Sequence, residues 1–337
     1  MNKSISKRIA LIGGAGFIGH NLALALRERG HDVHVLDSLF VNNFLHFSAT
    51  NIDIPNRELY IRMINHRLRL LDQQKIPVYV EDARDYFRMS MALTKIKPEV
   101  VILLAAVSHA DRSNKDPYST FDHSFRSLEN ALDWARSAGS SVEHFIYFSS
   151  SMVYGQFSQG TVTEETPCEP IGIYGALKFG GEKLVIAYNQ VFDIPYTIVR
   201  PSALYGERCV SRRVAQIFVE NAMKGLDISV KGDGSDRLDF TYIGDLVQGI
   251  TRVIEHEGSK NQIFNLTHGQ SRCIGELASL VGKHFPGIKV NYLPKDKLMP
   301  DRGTLSVEKA QRLIGYEPAY PLEKGIAAYI DWYRSFM

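Results

Sequence analysis

The sequence predicts an α/β protein in which a doubly wound parallel sheet is joined to a smaller C-terminal lobe. Through the first half of the chain, short runs of β-branched and aliphatic residues alternate with segments of helical periodicity. Such alternation is typical of right-handed βαβ units, which build a parallel sheet with helices on both faces. Beyond about residue 201 the alternation loosens, and a chain of 337 residues exceeds what one hydrophobic core usually supports. We therefore expect a first domain over residues 1–200 and a second lobe over residues 201–337, partly interleaved with the first.

The predicted strands follow one another as apolar runs along the chain. They are RIALIGG, DVHVLD, PVYVEDA, EVVILLAAV, HFIYFSSS and PYTIVRPS, with helical segments between them. One connection is unusually long, because about forty residues separate Asp37, which ends the second run, from Val78 in the third. Apolar residues recur there at helical spacing within ELYIRMINHRLRLLDQQ, so an inserted helical segment is predicted over about residues 40–76. This helix either packs on its own domain or serves as a lid or a subunit contact.

The composition excludes several classes of function. Lys and Arg number 39 and Asp and Glu 37, so the net charge of +2 indicates no nucleic-acid partner. No run of 18 apolar residues occurs, so we expect no membrane partner. Cys168, Cys209 and Cys273 lie far apart, which fits free thiols in a reducing compartment and a cytoplasmic location. Neither CxxC nor HExxH occurs, so no dedicated metal site is expected.

A glycine-rich turn follows the first predicted strand. In GGAGFIG, residues Gly13, Gly16 and Gly19 form a GxxGxxG pattern, and Phe17 and Ile18 open the next helix. Glycine lets the turn adopt positive φ and lets the backbone approach a pyrophosphate, while the helix N-terminus offers free N–H groups to the phosphates. A lone glycine pattern also fits a plain strand-to-helix turn. The context favours a Rossmann-type dinucleotide site.

That context comes from the ends of the next strands. Asp37 ends the second strand about twenty residues after the glycines, where its carboxylate can accept hydrogen bonds from the adenosine ribose and would repel a 2′-phosphate. We therefore expect NAD rather than NADP as the cofactor. Asp82 and Ala83, after the third strand, are expected to contact the adenine, although a solvated acid at a strand end is an alternative. The small Ala105 and Ala106 end the fourth strand and would leave room for the cofactor's ribose.

A catalytic site is predicted from two separated segments. FSSSMVYG, residues 148–155, ends a predicted strand with three serines, and YGALK places Tyr174 and Lys178 on one face of a helix. An ammonium beside a phenol favours the phenolate, whose pKa is ordinarily about 10, and a phenolate is a usable general base. The spacing alone is a weak signal, because Tyr320 and Lys324 in YPLEK repeat it without a serine-rich strand end before them.

The combination of motifs resembles the extended short-chain dehydrogenase/reductase family, in its NAD-dependent nucleotide-sugar epimerase and dehydratase branch. The resemblance spans nearly the whole chain through GGAGFIG, LLAAVSHADRS, SSSMVYG, YGALK, VRPSALYG, RLDFTYIGDL and RGTLSVEKAQRLIGYEP. It implies that Ser150 is the catalytic hydroxyl, with Ser149 and Ser151 as alternatives, or with all three serines merely capping a strand. It also implies that Tyr174 is the general base and acid, and that Lys178 tunes it while both contact the cofactor.

Departures from the family pattern narrow the expected reaction. Dehydratases of this branch carry an Asp-Glu pair directly after the catalytic hydroxyl, whereas this chain has Ser151 and Met152. Decarboxylases of the branch tend to carry a glutamate where Met152 stands, which argues against decarboxylation less decisively. Epimerases need no acidic residue there. The resemblance therefore implies NAD-dependent epimerisation of a nucleotide-diphosphate sugar at C4, with UDP as the expected nucleotide. The alternatives are a nucleotide-sugar decarboxylase, dehydratase or ketoreductase, or a non-catalytic NAD-binding sensor.

The substrate contacts are the least specific part of the resemblance. Ser151 and Met152 are expected to face the sugar and Arg302 to meet the nucleotide. Arg237 is expected to clamp the diphosphate, with a solvated surface arginine as the alternative. Leu238 stands where the family places that phosphate-binding arginine. The resemblance also implies a homodimer built from two helices per subunit, one of which carries YGALK.

Overall fold

A parallel sheet flanked by helices organises the part of the chain that this computed structural model describes, residues 6–49, 53–107, 110–157, 160–294 and 300–337. The strands are β1 (Arg8–Ile12), β2 (Asp32–Leu36), β3 (Val78–Tyr79), β4 (Val100–Leu103), β5 (His144–Phe148), β6 (Thr161–Val162), β7 (Tyr196–Arg200), β8 (Leu204–Tyr205), β9 (Ile228–Lys231), β10 (Arg237–Leu238), β11 (Thr241–Tyr242), β12 (Gln262–Asn265), β13 (Arg272–Cys273), β14 (Val290–Leu293) and β15 (Thr304–Leu305). The helices are α1 (Phe17–Glu28), α2 (Phe44–Ser48), α3 (Arg57–Gln73), α4 (Tyr86–Ile96), α5 (Ala110–Lys115), α6 (Pro117–Phe121), α7 (Ser127–Ala135), α8 (Gly172–Phe192), α9 (Val214–Met223), α10 (Ile243–Glu255), α11 (Ile274–His284), α12 (Glu308–Ile314) and α13 (Leu322–Phe336). Among these described helices, none combines the length and the apolar character that a membrane span requires.

Seven strands form the central sheet in the order β12-β7-β5-β4-β1-β2-β3, and every neighbouring pair is parallel. This is the Rossmann-type doubly wound arrangement that the sequence predicts, and the prediction is confirmed. β1 lies between β2 and β4, with Ile9 paired to Val33 on one side and to Val100 on the other. The strand order reverses at this point, so a crevice opens beyond the carboxyl ends of β1 and β4. The second half of the chain supplies the edge strand β12, which the sequence pattern did not indicate.

The two faces of the sheet are covered by separate hydrophobic clusters. Alternate residues of β1 enter opposite clusters, because successive side chains of a strand point to opposite faces. Leu11 belongs to the larger cluster and Ile12 to the smaller one. The larger cluster continues into the C-terminal lobe through buried residues such as Phe218, Leu277 and Tyr333. Continuous apolar packing therefore joins the lobe to the sheet.

The inserted segment between β2 and β3 folds as α2 and α3. Helix α3 packs against α1 and α2, which agrees with the prediction of a helix packed on its own domain. Its buried face consists of Tyr60, Met63, Ile64, Arg67 and Leu71. The hydroxyl of Tyr60 also donates to the carboxylate of Glu220 in α9 at 2.6 Å, so α3 is bonded to the second lobe as well. A charged residue, Arg67, lies in the middle of this otherwise largely apolar face.

We predict that Gly19→Ala destabilises the protein and weakens dinucleotide binding. A Cβ atom on Gly19 would lie 2.5 Å from the Cα atom of Gly14, and backbone atoms cannot move aside as a flexible side chain can. Overpacking of this kind costs about 1–3 kcal/mol. The control is Gly282→Ala on α11, where a Cβ atom meets nothing within 4 Å and where alanine favours the helix. Thermal unfolding and NAD titration of both variants test the prediction, and equal melting temperatures would contradict it.

Candidate active site

A groove runs along the carboxyl ends of β1, β2 and β4, where the strand order reverses. Its floor is the turn from β1 into α1, and Gly13 has a φ of +84° in that turn. A Cβ atom on Gly13 would lie 2.6 Å from the backbone nitrogen of Ala105, so only glycine allows β1 and β4 to close the floor in this way. Gly16 is the N-cap of α1, and the unpaired N–H groups of the first helical turn therefore begin at the groove.

All ten residues that the sequence predicts to contact the cofactor, apart from the catalytic pair, line this groove. They are Gly13, Gly16, Phe17, Ile18, Gly19, Asp37, Asp82, Ala83, Ala105 and Ala106. The residues are contributed by four strand ends and by the first turn of α1. A cradle that excludes even a methyl group at Gly13, with helix N–H groups beside it, fits the pyrophosphate of a dinucleotide.

The carboxylate of Asp37 is fixed at the end of β2. One of its oxygens accepts from the backbone N–H of Ala15 at 2.9 Å, and the other accepts from that of Leu39 at 2.8 Å. Burial raises the pKa of Asp37, while these two hydrogen bonds and the charge of Arg67 act in the opposite direction. The remaining lone pairs of the carboxylate could accept the hydroxyls of a ribose.

Other residues in or beside the groove were missed by the sequence reasoning. Arg84 holds the carboxylate of Asp82 at 2.7 Å and that of Asp122 at 2.8 Å. Partial burial opposes the charged form of Asp82, but the bonds from Arg84 outweigh burial and lower its pKa. A π-helical turn over Asp122–Arg126 separates α6 from α7, and His123 of this turn lines the groove. No signal in the sequence indicates the ion pairs of Arg84 or the π-helical turn. Arg67 also lines the groove, and the sequence does show it as a charged residue among the regularly spaced apolar residues of α3.

A second pocket adjoins the groove and contains the predicted catalytic residues. Ser150, Tyr174 and Lys178 all line it, although β5 and α8 bring them together from separate parts of the chain. Ile18 and Leu104 line both the groove and the pocket, so the two are neighbouring sites. A cofactor held in the groove can therefore reach a substrate held in the pocket.

The three serines at the end of β5 have different partners. The hydroxyl of Ser149 donates to Glu182 at 2.5 Å, and that of Ser151 accepts from Arg302 at 3.1 Å. The oxygen of Ser150 accepts from the backbone N–H of Met152 at 3.2 Å, which leaves its own proton available to a ligand. Ser150 is therefore the serine best placed to donate a hydrogen bond into the pocket.

Lys178 lies one helical turn after Tyr174 and is buried. Its ammonium donates to the carbonyl oxygen of Phe148 at 2.7 Å and lies 5.1 Å from the ring centroid of Tyr147. Burial lowers the pKa of Lys178 to about 8, although the charge of Glu182 acts in the opposite direction. The ammonium is thus held at the pocket wall by the strand end that carries the serines.

A buried ion pair lies behind this wall and was not anticipated from the sequence. Arg200 donates to both oxygens of Glu182, at 2.9 and 2.7 Å, and both side chains are almost fully enclosed. Arg200 also donates to the hydroxyl of Tyr154 at 2.8 Å, and that hydroxyl donates to Asn265 of β12 at 2.8 Å. The bidentate pair compensates two charges that would otherwise be costly to bury.

Arg302 lines the pocket, whereas Arg237 does not. Arg302 contacts Ser151 and the sulfur of Met152, and burial lowers its pKa to about 10 although the neighbouring Tyr174 acts in the opposite direction. Arg237 donates to the side chain and the carbonyl of Ser271, at 3.0 and 2.5 Å, and it does not line the pocket. The contact of Arg237 with a phosphate stays a prediction, since this position gives it no direct support. Neighbouring residues on a strand face opposite sides, and in β10 it is Leu238 that lines the pocket.

Two other arginines, which the sequence reasoning did not single out, line the pocket. Arg212 and Arg213 precede α9 and line the pocket, and Arg213 also lines the cofactor groove. Arg212 donates to the hydroxyl of Tyr60 in α3 at 3.2 Å, and its backbone N–H donates to Gln216 at 2.8 Å. Paired arginines at the start of a helix, in SRRVAQ, are the signal that would have identified them.

The fold and the adjoining sites define an extended short-chain dehydrogenase/reductase. Residues 9–267 match the sequence model of the NAD dependent epimerase/dehydratase family, and the chain belongs to this family. NAD is the cofactor of the family, and the residues of the groove fit it.

Known proteins of this kind resemble the chain over almost its whole length. A Methanocaldococcus jannaschii protein provisionally named UDP-glucose 4-epimerase is 29% identical over 97% of this chain and 98% of that protein. The dTDP-glucose 4,6-dehydratase of Xanthomonas campestris is 26% identical over 95% of this chain and 91% of the dehydratase. The structure of a Thermus thermophilus UDP-glucose 4-epimerase in complex with NAD superimposes with a TM-score of 0.82, at 25% identity, over 97% of this chain and 99% of the epimerase. The relatives therefore include both epimerases and dehydratases.

We predict that Glu182→Gln lowers the free energy of unfolding by about 3–5 kcal/mol, because it leaves the charge of Arg200 buried and uncompensated. The double variant Glu182→Leu with Arg200→Leu should recover part of the loss, since it removes both charges. Glu129→Gln is the control, because it breaks an exposed ion pair with Arg126 and should cost less than about 1 kcal/mol. Urea unfolding measures all three effects, and equal losses for the two single variants would contradict the prediction.

Proposed function

We propose that the protein is an NAD-dependent epimerase that inverts C4 of a UDP-linked sugar through a transient 4-keto intermediate. The observation that carries the proposal is the composition of the pocket. Ser150, Tyr174 and Lys178 share it with three arginines, and no carboxylate occurs among the described residues that line it. Relatives named as UDP-sugar 4-epimerases at 25–29% identity support the choice of nucleotide.

Each catalytic residue has a defined task in this proposal. Tyr174 removes the proton of the C4 hydroxyl as its phenolate and returns it when the sugar has turned. Ser150 donates a hydrogen bond to the same oxygen, and Lys178 and Arg302 place positive charge beside the phenolate. The residues of the groove would hold NAD, and NAD bound there would supply reversible hydride transfer at C4.

The positive charge of the pocket suits a sugar nucleotide. Arg212 lines the pocket and Arg213 lies where the pocket meets the groove, and guanidinium groups bind phosphate oxygens in bidentate fashion. We assign the diphosphate of the substrate to these two residues. The sugar then lies toward Ser151, Met152 and Arg302, which close the pocket at the end of β5.

The same residues disfavour the neighbouring reactions of the family. Elimination of water needs an acid and a base near C5 and C6, and neither Ser151 nor Met152 can shuttle those protons. Decarboxylation and net reduction would each give a product whose mass differs from that of the substrate. A silent NAD-binding sensor would have no use for the Tyr174 and Lys178 pair. A single product analysis therefore separates epimerisation from each of these reactions and from a silent sensor.

Two further features are part of the proposal. We propose a homodimer that pairs α8 and a second helix of each subunit, and we note that Ile173, Val191 and Phe192 of α8 expose apolar surface. Light scattering would give the mass of the assembly. A cytoplasmic location stays a prediction, and it rests on the free thiols of Cys168 and Cys273.

We predict that the purified protein converts UDP-glucose, UDP-glucuronate or a C2-acetamido relative into its C4 epimer. Tyr174→Phe should lower turnover by at least about a thousandfold and leave NAD binding intact, because only the transferable proton is lost. Tyr320→Phe is the matched control, since Tyr320 and Lys324 repeat the spacing of the catalytic pair outside the pocket. Mass spectrometry and proton NMR identify the product. Release of water or CO2, net formation of NADH, or an active Tyr174→Phe variant would contradict the proposal.

We also predict that activity falls as the pH rises through about 8, because Lys178 loses its charge there. Stability should change in the opposite direction. The folded pKa lies below the unfolded value of about 10.4, so the unfolded chain binds more protons between these limits, and the contribution of Lys178 to the unfolding free energy rises with pH. Measurement of kcat/KM and of the unfolding free energy from pH 6 to 10 separates loss of activity from unfolding. In the control variant Lys178→Met, the rise of the unfolding free energy that Lys178 causes over this pH range should be absent. A flat rate profile up to pH 10 would contradict the prediction.

A further inference from the structure

Helix α3 of the inserted segment carries a buried arginine that the proposed reaction does not use. The side chain of Arg67 is fully enclosed, although it extends from a helix outside the central sheet. It is also one of the residues that line the cofactor groove, together with Asp37 and the first turn of α1. Fully buried arginines are rare unless their charge is paired, so the position of Arg67 calls for a partner.

The protein supplies a hydrogen-bond acceptor for only two of the three guanidinium nitrogens of Arg67. Two of the guanidinium nitrogens of Arg67, Nε and Nη2, donate to the carbonyl oxygen of Arg208, at 3.1 and 2.5 Å. The third nitrogen, Nη1, is buried and has no hydrogen-bond partner among the described residues. A buried donor without an acceptor is costly, and the cost is greater when the group is charged.

The charges around Arg67 leave its guanidinium short of negative partners. Burial lowers its pKa to about 10, and the neighbouring charge of Arg208 acts in the same direction. Asp37 is the carboxylate whose charge acts in the opposite direction, but the guanidinium makes its hydrogen bonds to the carbonyl oxygen of Arg208 and not to Asp37. An anionic or oxygen-rich ligand in the groove would therefore find a preformed cation with a free donor.

The helix that carries Arg67 is fixed at several points. Tyr60 donates to Glu220 at 2.6 Å, and Arg62 donates to the carbonyl oxygen of Phe336 at 2.7 Å. Both bonds anchor α3 to the second lobe, and Ile64 and Leu71 anchor it to the core. Because these contacts hold the helix in place, little conformational entropy is lost when Arg67 meets a ligand.

We propose that Arg67 is a cofactor-binding residue, and that its Nη1 donates a hydrogen bond to an oxygen of the adenosine diphosphate half of NAD. The assignment to this half follows from the position of Arg67 beside Asp37 and the N-terminus of α1, where the ribose and the pyrophosphate of a dinucleotide lie. This inference rests on the binding of NAD, not on the identity of the sugar. The inserted segment then contributes to the cofactor site and is not only a packing element.

Calorimetric titration of the nucleotide-free full-length protein with NAD tests the proposal. Arg67→Met should bind NAD at least about tenfold more weakly than the unaltered protein, which corresponds to about 1.4 kcal/mol. Arg69→Met is the matched control, because Arg69 is exposed on the same helix. The affinity of this variant for NAD should equal that of the unaltered protein. Titration with ADP should show the same loss as NAD. Binding of NAD by Arg67→Met within twofold of the unaltered protein, or a loss with NAD that is absent with ADP, would overturn the assignment.

Two further measurements keep the outcome interpretable. Melting temperatures without ligand show whether Arg67→Met is folded, and if it is not, Arg67→Lys decides, because lysine keeps a cation for the carbonyl of Arg208 but offers no second nitrogen to the groove. Binding by Arg67→Lys within twofold of the unaltered protein would then refute the proposal. The role of Arg67 and the proposed epimerisation can fail separately. A protein that binds NAD but converts no sugar nucleotide would contradict the epimerisation, and its affinity for NAD would still test the role of Arg67.

Discussion

The buried ion pair between Glu182 and Arg200 is the interaction on which the part of the molecule with the proposed catalytic residues depends. It joins α8 to the last residue of β7, and the hydroxyl of Ser149 extends it to the end of β5. The hydroxyl of Tyr154 continues the network to Asn265 at the end of β12. Three strand ends and one helix are thereby fixed relative to each other at a single edge of the sheet.

The consequences for catalysis follow from helical periodicity. Residues four positions apart lie on one face of a helix, so Tyr174, Lys178 and Glu182 form a line along α8. Fixing Glu182 at the sheet fixes the direction in which the other two side chains point. The ammonium of Lys178 is held by the carbonyl of Phe148, which belongs to the same strand that ends in the serines. Arg200 balances Glu182, so Lys178 has no full negative partner of its own, and its lowered pKa follows from its burial.

The parts of this arrangement that could be predicted from the sequence are the local ones. The turn at Gly13 and the pair formed by Tyr174 and Lys178 depend on the backbone within a few residues, so their spacing shows directly in the chain. The parts that could not be predicted depend on distant packing. Strand β12 joins the sheet from the second half, and the partner of Glu182 lies eighteen residues further along, in a strand of ordinary apolar appearance.

Arg237 shows how a shift of one position within a motif changes which side chain lines the pocket. The family places a phosphate-binding arginine one position later, and the prediction assumed that the neighbouring residue could replace it. In a strand of two residues, adjacent side chains face opposite sides, so a shift by one position exchanges the pocket for the far face. The positive charge is restored by Arg212 and Arg213, which reach the pocket from the N-terminus of α9. The positive charge of a pocket can therefore come from a different element than the motif indicates, here α9 in place of β10. Only the folded structure shows which element supplies it.

The supply of protons in the pocket bears on the choice among the reactions of the family. Epimerisation at C4 moves one proton off an oxygen and back again, and Tyr174 alone can do this in both directions. Dehydration must also take a proton from carbon and deliver one to a departing hydroxyl, which requires additional acid and base groups. The described pocket offers hydroxyls, one ammonium, guanidinium groups and the thioether of Met152. Guanidinium groups stay charged at neutral pH, the ammonium of Lys178 donates to the carbonyl of Phe148, and a thioether carries no proton. A wall of this composition stabilises anions and orients them, and it leaves the phenol of Tyr174 as the group that suits a reversible proton transfer.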